Sequence, residues 1–100
     1  MKIIKIINSP IKNKRFRVYL DDNTYYDFGL KNPKFGTYID HHDKEKRENY
    51  RRRHLGNKIE RERITTYSPS PSLFSYYLLW GDHTNIKDNI KMLNNILSQL

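Results

Sequence analysis

The chain has 100 residues, 19 Lys and Arg against 11 Asp and Glu, and no cysteine. A chain this short makes one small domain with a modest core. The missing thiols exclude disulfides, thiolate metal ligands and cysteine nucleophiles. A formal charge of +8 points to an acidic partner, whether nucleic acid, an anionic membrane surface or an acidic protein face.

Alanine is absent, so burial falls to Ile, Leu, Tyr and Phe. Residues 1–37 carry eight basic and three acidic side chains, residues 38–64 nine and six, and residues 65–100 two of each. The partner-seeking charge therefore lies in the first two thirds. The N-terminal run is too short for a signal peptide, and "LFSYYLLW" is about a third of a membrane span. A soluble intracellular chain is expected, without a transmembrane segment.

"KIIKII", residues 2–7, is rich in β-branched side chains and predicts a short strand. Asn8-Ser9-Pro10 breaks it. "RFRVYL" then alternates, with Phe16, Val18 and Leu20 on one face and Arg15, Arg17 and Tyr19 on the other. Asp21-Asp22-Asn23 is turn chemistry, and "TYYDF" predicts the returning strand. "GLKNPKFG" is a loop with Pro33 inside it.

Tyr38–Leu55 predicts one charged helix. Asp40 is a candidate cap, and Asp40–Lys44, Asp43–Arg47 and Glu48–Arg52 are acid-before-base pairs at i, i+4. Gly56 stands where a C-cap belongs, behind Arg52, Arg53 and His54. The apolar stripe is thin (Ile39, His42, Tyr50, His54), so something outside the helix must hold it. Residues 57–66 predict a short helix or strand, and "YSPSPS" an extended linker. An apolar helix or turn follows, ending at Gly81. Thr84 is the expected cap of a last helix over 84–98, with Ile86, Ile90, Leu93, Leu97 and Leu100 on one stripe. Packing of this helix on "LFSYYLLW" and the sheet is favoured over a coiled coil.

Four histidines raise the question of a metal. On a helix His41 and His42 point about 100° apart, and without cysteine the remaining ligands of a zinc site are missing. Asp21 and Asp22 could serve acid–base chemistry, but they sit in a turn where aspartate belongs for backbone reasons. No phosphate loop, serine elbow or metalloprotease motif occurs. The chain is expected to lack catalytic activity, a cofactor and a small-molecule substrate.

Two readings compete for the basic segment. Arg51–Arg53 with neighbouring cations could cover phosphates, and Tyr19, Tyr25 and Tyr26 could stack bases. Yet six acids are threaded through residues 38–64. Three successive arginines also fan around ~200° of a helix. Docking of these arginines on another protein is the preferred reading.

"YIDHHDKEKRENYRRRHLGN", followed by "LFSYYLLWGDHTNIKDNIKML", resembles a family of small basic proteins encoded by large nucleocytoplasmic DNA viruses. Asp27-Phe28-Gly29 resembles the end of that family's hairpin. Tyr38, His42, Asp43, Arg47, Tyr50, Arg53 and His54 resemble its basic helix, and Leu78-Leu79-Trp80 with Thr84 and Ile90 its aromatic run and last helix. The likeness spans about residues 15–95. "SPSPSLFSYY" departs from the pattern, and His83 replaces the usual proline. The resemblance implies a virion or replication setting and no reaction.

The expected fold is α+β, a single small domain. A small antiparallel β-meander (1–37) precedes a charged helical part (38–66), a Pro/Ser break (67–72) and an apolar C-terminal helical pair (73–100). The expected function is that of a minor capsid or virion component docking on acidic faces of neighbouring coat proteins, the major capsid protein first among them. It would reside in the virion, and in the host cytoplasm during assembly. A nucleic-acid-binding protein of the virion or of replication is the alternative. Candidate partner-binding residues are Arg15, Arg17, Arg47, Tyr50, Arg51, Arg52, Arg53, His54 and Trp80.

Overall fold

The structure is a computed structural model that describes residues 1–31 and 34–100. Asn32 and Pro33, in the expected "GLKNPKFG" loop, lie outside the described residues. The fold is α+β, with three antiparallel strands followed by helices.

Strands β1 (Ile3–Asn8), β2 (Lys14–Leu20) and β3 (Tyr25–Leu30) lie in the order β1-β2-β3. The alternation in "RFRVYL" sets the faces: Val18 and Leu20 are buried, Phe16 packs against the same core, and Arg15, Arg17 and Tyr19 take the other side. Between β2 and β3 the Leu20 N–H donates to the Thr24 carbonyl at 2.9 Å. Asn23 closes this turn with φ +67°, a left-handed conformation that asparagine tolerates. Asp22 accepts from the Thr24 N–H at 3.1 Å, and the bonds from Thr24 hold its pKa below the usual carboxylate range. Asp22 serves the turn, and Asp21 accepts from the Lys2 N–H at 3.2 Å beside β1.

The single helix expected over Tyr38–Leu55 is two helices. Helix α1 is Tyr38–His41 and α2 is Lys44–Leu55, separated by His42 at φ +58°. Two caps within seven residues cause the break. Asp40 is the third residue of a capping box, accepting from the Thr37 N–H at 2.8 Å, and is not the cap itself. Asp43 caps α2, accepting from the Glu45 and Lys46 N–H groups at 3.0 and 3.2 Å, which requires an extended backbone where a continuous helix would run. The i, i+4 pairs of Asp40 and Asp43 do not form, because Asp40 turns to Arg15 and Asp43 to the backbone.

Helix α3 (Lys58–Thr65) starts at Asn57, whose side chain accepts from the Glu60 N–H. The expected extended linker over 67–72 is shorter than its prolines suggest. Pro71 is the first residue of α4 (Pro71–Phe74), where its missing N–H costs nothing, and Ser70 caps it. Helix α4 continues into one π-helical turn, Ser75–Leu79, closed by the Trp80 N–H on the Ser75 carbonyl at 3.2 Å. The final helix, α5, is Ile86–Leu97. Its cap is Asn85 and not Thr84, and Leu100 is 77% exposed, so the stripe ends at Leu97.

The inner sheet face packs on α4, the π-turn and α5. Phe74 lies between Tyr26 and Phe28 at ring distances of 5.6 and 5.9 Å, with Leu73, Leu78, Leu79 and Leu93 fully buried around them. Asn94 of α5 exchanges two hydrogen bonds with the backbone of Ile3, at 2.8 and 2.9 Å, tying the end of the chain to the edge strand. Buried Asn89 donates to the Leu78 and His83 carbonyls and accepts from the His83 N–H, fixing the loop through Gly81. A Cβ on Gly81 would lie 2.1 Å from the Tyr77 carbonyl oxygen, so only glycine fits there. No helix among the described residues is long and apolar enough to cross a membrane.

Candidate partner-binding site

The thin stripe of α2 is held by an aromatic column. Tyr50 stacks on Trp80 with centroids 4.2 Å apart and planes 7° from parallel. His54 covers the other face of Tyr50 at 4.0 Å, and His41 lies beyond Trp80 at 5.4 Å. The i, i+4 spacing of Tyr50 and His54 puts both on one side of α2. The π-helical turn ends at Leu79 with Trp80 as its cap residue, which sets the indole against Tyr50. His54 Nδ1 donates to the Glu60 carboxylate at 2.5 Å, which binds α2 to α3. Burial pushes the Tyr50 hydroxyl up to about 12, with the Glu60 charge adding to the effect.

The candidate arginines divide into two groups. Arg15 grips Asp40 with two bonds of 2.7 Å and so joins the sheet to α1. This guanidinium holds the Asp40 carboxyl well below the usual carboxylate range, against the opposing effect of partial burial. Arg17 makes a bidentate pair with Asp27 at 3.0 and 3.1 Å and lies over the Tyr25 ring at 4.1 Å. Asp27 raises the Arg17 pKa above its ordinary value, and Arg17 lowers that of Asp27. Arg47 donates from Nε to the Gly81 carbonyl at 2.6 Å and pairs with Asp82 and Glu48. Arg51 reaches Asp82 at 3.2 Å and lies 4.4 Å from the Tyr76 ring centroid. All four are turned inward, with side chains between 13% and 22% exposed.

Arg52 and Arg53 are exposed and have no carboxylate partner among the described residues. Arg53 lies 5.7 Å from the Tyr50 ring centroid and borders an open groove of about 710 Å³ between the sheet end, α2 and α4. Trp80, Tyr50 and His54 line this groove, together with Phe35, which is 73% exposed. An adjoining chamber of about 370 Å³ shares Phe35, Tyr50, Arg53 and Trp80 and adds His41, Lys46 and Asn49. Phe35 and Lys46 were not among the sequence candidates; an aromatic directly after Lys34 and before Gly36 was the signal for the first, and α2 spacing from Tyr50 for the second. No group of three or more His, Asp or Glu close enough to hold a metal occurs among the described residues.

A family model described as a family of unknown function, DUF5754, matches residues 4–54. The chain belongs to this family. The DUF5754 match runs from β1 through α2 to His54, and so includes Arg15, Arg17, Arg47, Tyr50 and Arg51–Arg53 but stops short of Glu60 and Trp80, which complete the aromatic column. No curated protein and no solved structure matches the chain.

Proposed function

We propose that this chain is a non-enzymatic docking protein, a minor structural component of a large DNA virus particle that binds acidic faces of a neighbouring coat protein. The observation that carries the reading is the state of its aromatic rings and cations. Both faces of Tyr50 are covered within the chain, Trp80 lies between Tyr50 and His41, and Arg17 lies over Tyr25. These covered faces are closed to the base stacking that single-strand binding uses, while Phe35 keeps an exposed ring. The exposed cations Lys44, Lys46, Arg52, Arg53, Lys58, Arg61 and Arg63 share α2 and α3 with exposed Glu45, Glu48 and Glu62. Such a mixed-sign surface suits a protein face, where carboxylates find partners, better than a phosphate track. The virion setting comes from the resemblance of residues 15–95 and from nothing else.

Carbodiimide cross-linking in intact particles tests the proposal. The expected products join Lys44, Lys46 or Lys58 to aspartates and glutamates of a coat protein. Exclusive recovery of DNA adducts in ultraviolet cross-linking, with duplex affinity falling on a log–log salt slope near about −4.5, as ~5 neutralised phosphates require, would establish the nucleic-acid alternative instead.

A further inference from the structure

The chamber beside Trp80 has an unusual lining. Its polar side chains include His41, Lys46, Asn49 and Arg53, and no carboxylate among the described residues lines it. His41 Nδ1 accepts from the Asp43 N–H at 2.9 Å, so the ring proton resides on Nε2. That nitrogen is buried and has no hydrogen-bond partner among the described residues. The larger groove contains one acid, Glu60, and His54 already holds it. Lys14, Lys34 and Arg53 also line this larger groove.

The apolar side chains complete the description. Phe35 and Leu30 stand exposed where they line the groove, at 73% and 60%. Lys46, Arg53, the Asn49 amide and the unpartnered His41 Nε2–H favour a negative group, and the apolar side chains favour a carbon-rich one. A duplex presents phosphates with its bases stacked inside, leaving little apolar surface to cover Phe35 and Leu30. A single strand could cover Phe35 with a base, which the oligothymidylate competition below tests. A polypeptide supplies both charge and apolar surface.

We infer that the groove between Phe35, Trp80 and Arg53 docks an acidic segment of a protein partner, whose carboxylates meet Lys46 and Arg53 and whose apolar side chain covers Phe35. This rests on the docking function proposed above and names the chemistry of the partner. A second copy of this chain is a poor occupant, because two bodies of charge +8 repel.

Trp80 is the sole tryptophan and lines both chambers, so its emission reports occupancy. The probe is an acetylated, amidated nonapeptide in which Asp and Glu flank a Leu-Phe-Leu centre, titrated into the full chain. A saturable change in Trp80 emission is expected. Lys46→Glu/Arg53→Glu should weaken it at least about ten-fold, while the charge-matched Lys87→Glu/Lys91→Glu pair on α5 stays within about two-fold. Circular dichroism of each variant separates loss of binding from loss of fold. No saturable change up to about 1 mM peptide, the range of the weakest specific contacts, overturns the inference. Equal losses in both charge-matched pairs overturn it too, since attraction would then be diffuse. So does displacement of the peptide by oligothymidylate at lower concentration. If the peptide fails while particle cross-links to a coat protein persist, the groove assignment falls and the docking function stands. If those cross-links are missing, the docking function falls as well.

Discussion

The outer face of the sheet and the groove beneath α2 are built from the same residue types, arginine, lysine and tyrosine, yet they differ in what they offer a partner. On the sheet, Arg15 is committed to Asp40 and Arg17 to Asp27, while Tyr25 faces Tyr19 at 5.9 Å beneath the Arg17 guanidinium. In the groove, Arg53 lies over the Tyr50 ring at 5.7 Å, and neither Arg53 nor Lys46 engages a carboxylate among the described residues. A guanidinium held in a bidentate pair has its charge offset and its fork occupied, so a phosphate or partner carboxylate can take it in the same bidentate way only by displacing that pair. Composition therefore overstates the sheet as a binding surface. Pairing decides which cations are available.

The contrast is most sharply broken by disturbing the point where the inward arginines of α2 attach. Gly81→Ala places a methyl group against the Tyr77 carbonyl and the Asn89 side chain. The displaced loop also carries the Gly81 carbonyl that Arg47 uses. A loss of about 3 kcal/mol in urea unfolding is expected, at the upper end of overpacking costs. Arg47→Met follows at about 2 kcal/mol, since a charge-assisted bond to a mostly buried carbonyl is lost and only the aliphatic stem is kept. If Arg47→Met unfolds at the same urea concentration as the parent chain, the inward–outward division of these arginines is wrong.

Arg15→Met is expected to cost about 1 kcal/mol, because the Asp40 pair is partly exposed and solvent screens it. The pH dependence carries more information than the size. Asp40 has a depressed pKa in the folded chain, so its stabilising contribution is fully present above the unfolded value near 3.8 and is lost as pH falls through the folded value. The difference in melting temperature between parent and Arg15→Met should be constant from neutral pH to about pH 5 and then shrink below about pH 4. A difference that grows on acidification contradicts the Arg15–Asp40 assignment.

Much of the fold was legible because local pattern and tertiary packing agree. The alternation of Phe16, Val18 and Leu20 specified the inner sheet face, and the four- and three-residue spacings from Ile86 to Leu97 specified α5. The break at His42 was hidden for a physical reason. Asp40 and Asp43 are both competent caps, and which one ends or begins a helix depends on Arg15 drawing Asp40 from a strand 25 residues away. Pro71 misled in a similar way, because proline disrupts a helix interior but suits its first turn. The site was half legible. Tyr50, His54 and Trp80 could be named, but their stacking depends on α2 meeting the loop at Gly81, and the inward turn of Arg47 and Arg51 depends on Asp82, more than 30 residues downstream.

The smallest stability effect is the most discriminating. Arg53→Ala removes an exposed side chain whose contact within the chain is with the Tyr50 ring at 5.7 Å. Its cost in stability should stay within about 0.5 kcal/mol, as for surface changes away from buried networks. Arg47 and Arg53 are thus six residues apart on one helix, with the first expected to govern folding and the second binding. Urea unfolding and Trp80-monitored peptide titration of both single variants place each on two axes. An Arg53→Ala variant destabilised as far as Arg47→Met would mean that Arg53 is also committed within the chain. The groove would then resemble the sheet, with its charge already spent.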